Sequence, residues 1–169
     1  MGVAALLLLT LVASAVPDAC PAFLGLASHP PDLFLAAVVY LALRGGGFAA
    51  MPWAILVGFA RDCLSIDPLG THAFVLGAVA FVLARGRQRG VPPDGAGRLA
   101  ILFAASLGAS ALYVVRLLPV AEARPPASAL LDAFPIALWT TLAAAPLYAL
   151  LDKTRALDDL AGRPDGLSS

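Results

Sequence analysis

The sequence predicts an all-α polytopic membrane protein, and three observations support this fold class. The chain has 169 residues, of which 60% are hydrophobic and only 13% are charged. Its mean hydropathy is +0.88. Six stretches carry no charge: 1–17, 33–43, 45–60, 68–84, 99–115 and 133–151. A helical span needs about 20 mostly apolar residues, with roughly 17 as the lower limit, and most of these stretches reach that limit. An ordinary soluble domain is therefore excluded.

The first predicted span is Met1–Ala19. Ala13–Ala15 looks like a signal-peptide cleavage site, but no basic residue precedes the apolar stretch, which is also long for a signal peptide. We therefore favour a retained transmembrane helix over a cleaved leader. The prolines of 17–31 then predict a broken connection rather than a helix.

The second predicted segment has two interpretations. Asp32 is a good N-cap for a helix over 33–43, but about 12 helical residues reach only roughly 18 Å. Either this is a short second helix, with Arg44 extending to the cytoplasmic side, or 33–60 is one long kinked span. An arginine at the centre of a span costs about 2.5–3.5 kcal/mol, and Gly45–Gly47 weakens helix continuity. We favour two helices, which gives about six spans in total.

The remaining three spans follow clear boundaries. Asp67-Pro68 predicts a helix start, with an N-cap acid followed by proline at the first helical position. That helix should end near Ala84. The last two spans are predicted over about 99–119 and up to about Leu151.

Basic residues are concentrated on one predicted side of the membrane. They are Arg85, Arg87, Arg89 and Arg98 around one loop, and Lys153, Arg155 and Arg163 near the C-terminus. Short loops rich in lysine and arginine stay in the cytoplasm, so loop 86–97 and the C-terminus are expected inside. The chain is thus divided into a transmembrane domain, 1–152, and a short cytoplasmic tail, 153–169. Residues 1–17 contain no basic residue, so the side of the membrane on which the N-terminus lies stays open. The number of spans, five or six, stays open with it.

The segment 58–72 is the most specific string in the chain because it places charges beside apolar runs. Charge near hydrocarbon is expensive and marks a functional or packing role. Arg61 and Asp62 are either a hydrated interface pair, or a polar group that fixes the loop and neighbouring helices or contacts an external partner. The predicted structural or partner motif consists of Gly58, Arg61, Asp62, Asp67, Pro68 and Gly70.

The sequence does not assemble a catalytic or metal-binding set. It has no recognisable nucleophile with a base, no phosphate-binding glycine loop and no paired carboxylates within a span. His72 is expected to be a packing residue rather than a proton carrier. Cys20 and Cys63 are either paired or, as we favour, buried free thiols. We expect no enzymatic activity, cofactor, metal or nucleic-acid partner.

Small residues recur at four-residue spacing, at Ala73 and Gly77 and again at Ala104 and Gly108. Such spacing allows close helix approach in membranes. It indicates either a surface for another membrane protein or, as we favour, internal packing. Gly77 and Gly108 are the candidate helix-packing residues.

Three strings resemble the MreD family of rod shape-determining proteins. Residues 31–45, with Pro31-Asp32-Leu33-Phe34-Leu35, look like the start of that family's second helix. Gly58-Phe59-Ala60-Arg61-Asp62 resembles its Gly-Leu-x-x-Asp element, and Pro68-Leu69-Gly70-Thr71-His72-Ala73 its Pro-Leu-Gly-x-x-Ala step. The resemblance covers roughly residues 30–90. Arg61 departs from the family, which usually has an apolar residue there.

The resemblance implies a multi-pass protein of the bacterial inner (plasma) membrane, with a fold similar to the substrate-binding subunit of energy-coupling-factor transporters. It implies a non-enzymatic scaffold of the cell-wall elongation complex that binds MreC and supports cell shape and peptidoglycan synthesis. RodA, a penicillin-binding transpeptidase and MreB are the further partners implied. The alternative is a vitamin-binding transporter subunit, which needs a pocket of convergent polar and aromatic side chains. A membrane enzyme of lipid or wall-precursor metabolism is a third class.

Overall fold

The computed structural model describes residues 31–44, 48–87, 95–117 and 126–154. Within these ranges the chain forms helices and no strand, which confirms the all-α class. The helices are α1 (Leu33–Arg44), α2 (Ala50–Leu64), α3 (Thr71–Arg87), α4 (Gly95–Leu117) and α5 (Pro126–Thr154).

The shortest helix, α1, is the centre of the fold. It contacts each of the other four described helices, and every residue from Phe34 to Leu43 is at most 8% exposed. A helix that is hydrophobic on all sides is stable only in an interior. Leu35 and Leu41 of α1 join Leu76 of α3 and Leu102 of α4 in one hydrophobic core. The short apolar run in the sequence is therefore a core helix surrounded by longer ones.

α1 and α2 are two separate helices. α1 ends at Arg44 and α2 begins at Ala50, and the two helices contact each other. Two helices are therefore present, as we favoured, rather than one long kinked span across 33–60. The first predicted span, Met1–Ala19, lies outside the described residues, so the total of six spans stays a prediction.

Two described helices are long and apolar enough to cross a membrane, over Gly95–Arg116 in α4 and Leu131–Lys153 in α5. Only 17% and 28% of their most apolar stretches are buried within the fold, so most residues of these stretches are partly or fully exposed. α1 is apolar but shorter. The similarity to energy-coupling-factor subunits also stays a prediction. Cys63 is exposed, contrary to the expected buried thiol, and Cys20 and the tail beyond Thr154 lie outside the described residues.

Charged side chains close one end of the bundle, which we call the basic end and define by Arg44, Arg87, Arg98 and Asp152. The Asp152 carboxylate on α5 accepts hydrogen bonds from Arg44 of α1 at 2.5 Å and from Arg98 of α4 at 3.0 Å. The Tyr40 hydroxyl also donates to it at 2.9 Å. Arg87 of α3 donates to the carbonyl of Leu43. These bonds fix the ends of α1, α3 and α5 and the start of α4 at one level.

Candidate functional site

The centre of the candidate site is Asp62, in the last turn of α2, whose side chain is completely buried. Its carboxylate accepts hydrogen bonds from the backbone N–H groups of Gly70 at 3.0 Å, His72 at 2.8 Å and Ala73 at 3.1 Å. The first N–H groups of a helix have no partner within that helix. A carboxylate satisfies them and complements the positive end of the helix dipole. Asp62 therefore caps α3 from the preceding helix.

The turn between α2 and α3 differs from the prediction. α3 begins at Thr71 rather than after Asp67, so the predicted N-cap role of Asp67 is wrong. Pro68 lies in the turn, where its carbonyl accepts hydrogen bonds from the N–H and hydroxyl of Thr71 at 3.2 and 2.7 Å. Gly70 has φ +89°, a conformation that favours glycine. The physical reason for the later start is that the Asp62 carboxylate already occupies the first turn of α3.

Gly58 allows α2 and α3 to approach closely enough for this capping. A Cβ atom at Gly58 would lie 2.5 Å from the Cα of Ala73, which is a clash with backbone. Gly77 also belongs to the α2–α3 interface, since a Cβ there would lie 3.1 Å from a side-chain carbon of Ile55. At Gly108, by contrast, a Cβ would meet no atom within 4 Å. Internal packing thus accounts for Gly77 but not for Gly108.

Arg61 pairs with Asp32 at the start of α1, not with its neighbour Asp62. Its Nη1 lies 2.5 Å from the Asp32 carboxylate, and both side chains are mostly buried, with exposed fractions of 29% and 19%. Its guanidinium also lies over the Phe34 ring, 5.4 Å from the centroid. Consecutive helical residues point in different directions, so Arg61 faces α1 while Asp62 faces α3.

Asp32 connects three helices. Its carboxylate accepts a hydrogen bond from the N–H of Leu35 at 3.0 Å, which confirms its predicted N-cap role for α1. Its own N–H donates to the Thr140 hydroxyl of α5 at 2.8 Å. Burial raises the pKa of the Asp32 carboxyl, but the charge and hydrogen bond of Arg61 and the bond from Leu35 outweigh it. The pKa of Asp32 therefore lies below its ordinary value, and the group is ionised at neutral pH.

His72 and Asp67 extend the site to α4. The buried His72 ring has Nδ1 2.9 Å from Asp62 and Nε2 3.8 Å from Asp67, and its centroid lies 5.5 Å from that of the Tyr113 ring. Asp67 also interacts with the Tyr113 hydroxyl. We call the whole set the polar anchor, and it consists of Asp32, Arg61, Asp62, Asp67, His72, Tyr113 and Thr140.

Sequence reasoning found three members of the polar anchor and missed the others. It selected Arg61, Asp62 and Asp67, treated Asp32 only as a cap and His72 only as a packing residue, and gave Tyr113 and Thr140 no role. The Arg61–Asp32 pair joins residues 29 positions apart. One signal was present: an acid and a base each border an apolar run, and charges near hydrocarbon are normally paired.

The bonding pattern of the polar anchor is that of a helix connector. The Asp62 carboxylate already accepts three backbone N–H groups and contacts His72, with no exposed surface left for a further ligand. Among the described residues, no three histidine, cysteine or acidic side chains are grouped so as to hold a metal ion. This arrangement of hydrogen bonds and ion pairs holds all five described helices together.

Comparison with known proteins identifies a family. Residues 1–153 match the model described as MreD, rod shape-determining protein MreD. The match confirms the resemblance carried by the short strings, and it extends well beyond residues 30–90. No curated protein and no solved structure matches the chain. None of these comparisons supports the alternative of a vitamin-binding transporter subunit.

Proposed function

The chain belongs to the MreD family of rod shape-determining proteins, and on this premise we propose that it is a non-enzymatic membrane scaffold of the bacterial cell-wall elongation complex. The family match over residues 1–153 is the observation that carries the proposal. In this role the protein holds partner proteins in the membrane and so supports cell shape and peptidoglycan synthesis. It catalyses no step itself.

The polar anchor supports a structural role. Its most buried acid, Asp62, is fully engaged by α3, and its partly buried acid, Asp32, is engaged by Arg61 and by the first turn of α1. Buried charges that are paired and hydrogen-bonded are costly to separate. A helix arrangement fixed in this way is suited to presenting a constant surface to a partner.

The basic end supports an orientation. Arg44, Arg87 and Arg98 lie together there, at the level where α5 ends. Because short segments rich in arginine and lysine stay in the cytoplasm, we place the basic end and the C-terminus inside. The polar anchor then lies toward the outer side of the membrane.

We propose an MreC-like membrane protein as the direct partner, with RodA, a penicillin-binding transpeptidase and MreB as members of the wider complex. Gly108 supports α4 as the contacting helix. It is exposed and has open space above its Cα, whereas Gly77 is already used between α2 and α3. Small residues on a membrane helix let a second helix approach closely.

Co-purification tests the partner. The tagged wild-type chain, extracted from membranes of its own bacterium, should recover MreC, and Gly108→Leu should reduce that recovery. Gly86→Leu is the matched control because Gly86 is also an exposed helical glycine with open space around it. Equal recovery by both variants would exclude the Gly108 face. Failure of the wild-type chain to recover MreC would contradict the scaffold proposal.

Depletion of the protein tests the function separately. A rod-shape scaffold predicts that depleted cells lose their rod form, and that re-expression of the wild-type chain restores it. Cells that keep a normal shape after depletion would contradict the proposal whatever the binding result.

A further inference from the structure

The tip of the α2–α3 hairpin has an unusual surface for a connection expected outside the membrane. Leu64, Ile66 and Leu69 are 67%, 106% and 66% exposed, and we call these three residues the hairpin tip. A soluble turn is normally rich in polar side chains. Here the outward-facing side chains include these three large aliphatic groups in six consecutive residues.

The polar groups of the same turn face inward or bond locally. The N–H and hydroxyl of Ser65 both lie 3.4 Å from the Asp62 carbonyl, and the N–H of Gly70 donates to the Asp62 carboxylate. Asp67 is directed toward His72 and Tyr113. The apolar and polar side chains are thus sorted onto opposite sides, which is what an apolar medium outside the turn requires.

The length of the hairpin gives its depth. α3 has 17 residues, which correspond to about 26 Å at 1.5 Å per residue. The hydrocarbon layer is about 30 Å thick. If Arg87 marks the inner boundary, Thr71 lies about 4 Å inside the outer boundary of the hydrocarbon, and the turn that precedes it lies near that boundary without projecting far beyond it. The 29 residues of α5 reach about 44 Å and pass through the same level.

We propose that the hairpin tip is a lipid-binding surface, with Leu64, Ile66 and Leu69 inserted among the acyl chains of the outer leaflet. The occupant is lipid hydrocarbon rather than a protein segment, because the tip lies just inside the outer boundary of the hydrocarbon layer and because Asp67, the charged residue of the turn, points away from it toward His72 and Tyr113. The buried Asp62 makes this possible by satisfying the N–H groups of the adjoining helix start. The inference does not depend on the scaffold function, but the assignment to the outer leaflet rests on the orientation proposed above.

Spin-label accessibility in lipid nanodiscs tests this placement. A single cysteine replaces Ile66 in the full chain with Cys20→Ser and Cys63→Ser, and the label is exposed to oxygen and to a water-soluble nickel chelate. Leu142, an exposed residue in the middle of α5, is the hydrocarbon reference, and Lys153, exposed at the end of α5, is the water reference. Thermal melting checks that each labelled variant is folded.

The oxygen-to-nickel accessibility ratio at Ile66 should lie clearly above that at Lys153 and below that at the deeper Leu142, because oxygen partitions into hydrocarbon and the chelate into water. A ratio like that of Lys153 would overturn the proposal, since the tip would then be in water. Low accessibility to both reagents would also overturn it, since a protein segment would then cover the tip.

A second measurement avoids spin labels. Ile66→Trp is introduced with Trp53→Phe and Trp139→Phe, and the protein is reconstituted into lipids brominated along their acyl chains. Quenching of the new tryptophan, compared with unbrominated lipid, supports insertion. Absence of quenching contradicts it.

Discussion

Replacing Asp62 with alanine removes the group that joins α2 to α3. The variant leaves three backbone N–H groups and the His72 ring without their acceptor. Loss of a helix N-cap costs about 0.5–2 kcal/mol, and a buried donor left unsatisfied costs about 1–3 kcal/mol. His72 is buried, while Gly70 and Ala73 are only partly buried, so water can reach some of the freed groups. We expect a decrease in the free energy of unfolding of about 3–5 kcal/mol, because the cost of the lost cap adds to that of more than one donor left unsatisfied.

Thermal melting in detergent, followed by the fluorescence of Trp53 and Trp139, measures this effect. For a chain of this size, 1 kcal/mol changes Tm by about 2–4 °C, so Asp62→Ala should lower Tm by about 6–20 °C. Asp67→Ala is the matched control. It lies on the same hairpin but is 24% exposed, 3.8 Å from His72 and hydrogen-bonded to the Tyr113 hydroxyl, so its loss should cost about 0.5–1.5 kcal/mol. If Asp62→Ala melts no lower than Asp67→Ala, the capping argument is refuted.

The remaining predictions use the same melting assay. Gly58→Ala should destabilise the protein by about 1–3 kcal/mol, because the new methyl group overlaps the α3 backbone. The control Gly108→Ala should be neutral or stabilising by up to about 1 kcal/mol. Equal effects of the two substitutions would contradict the close contact at Gly58. Asp32→Asn and Arg61→Leu should be non-additive, with a coupling of about 0.5–3 kcal/mol in a double-mutant cycle, and strict additivity would argue against the pair. The pKa of Asp32 is lower in the folded chain than its ordinary value, so its contribution is complete above about pH 4 and is lost as pH falls through the folded pKa. As the pH falls below about 4, Tm should therefore decline less steeply in Arg61→Leu than in the wild-type chain. The same pH profile in both proteins would count against the effect of Arg61 on the pKa of Asp32.

Much of the local architecture followed from charge placement. Arg44 ends α1 and Asp32 caps it, as the sequence predicted. These boundaries can be predicted for two reasons. A charge inside the hydrocarbon layer, which is about 30 Å thick, is costly, and an N-cap acts over only a few residues. The start of α3 at Thr71 could not be predicted from the sequence. It depends on a carboxylate from another helix, which local propensity does not include.

The membership of the polar anchor was only partly predictable. Arg61, Asp62 and Asp67 stood out as polar residues beside apolar runs. Tyr113 and Thr140 did not, because a tyrosine or threonine within an apolar run is common and gains a role only from what packs beside it. The role of Gly58 likewise depended on the distance to Ala73, which no spacing in the sequence gives.

The sequence by itself indicated the helical membrane class, favoured a break between α1 and α2, and carried the resemblance to the family of rod shape-determining proteins. These properties depend on hydropathy, on short caps and on strings of adjacent residues. The tertiary structure decided that the shortest helix is the centre of the bundle, that Arg61 turns to Asp32, and that Asp62 caps α3. The physical reason is that a charge must be paired somewhere in an apolar setting, but which partner it meets is set by helix packing across tens of residues.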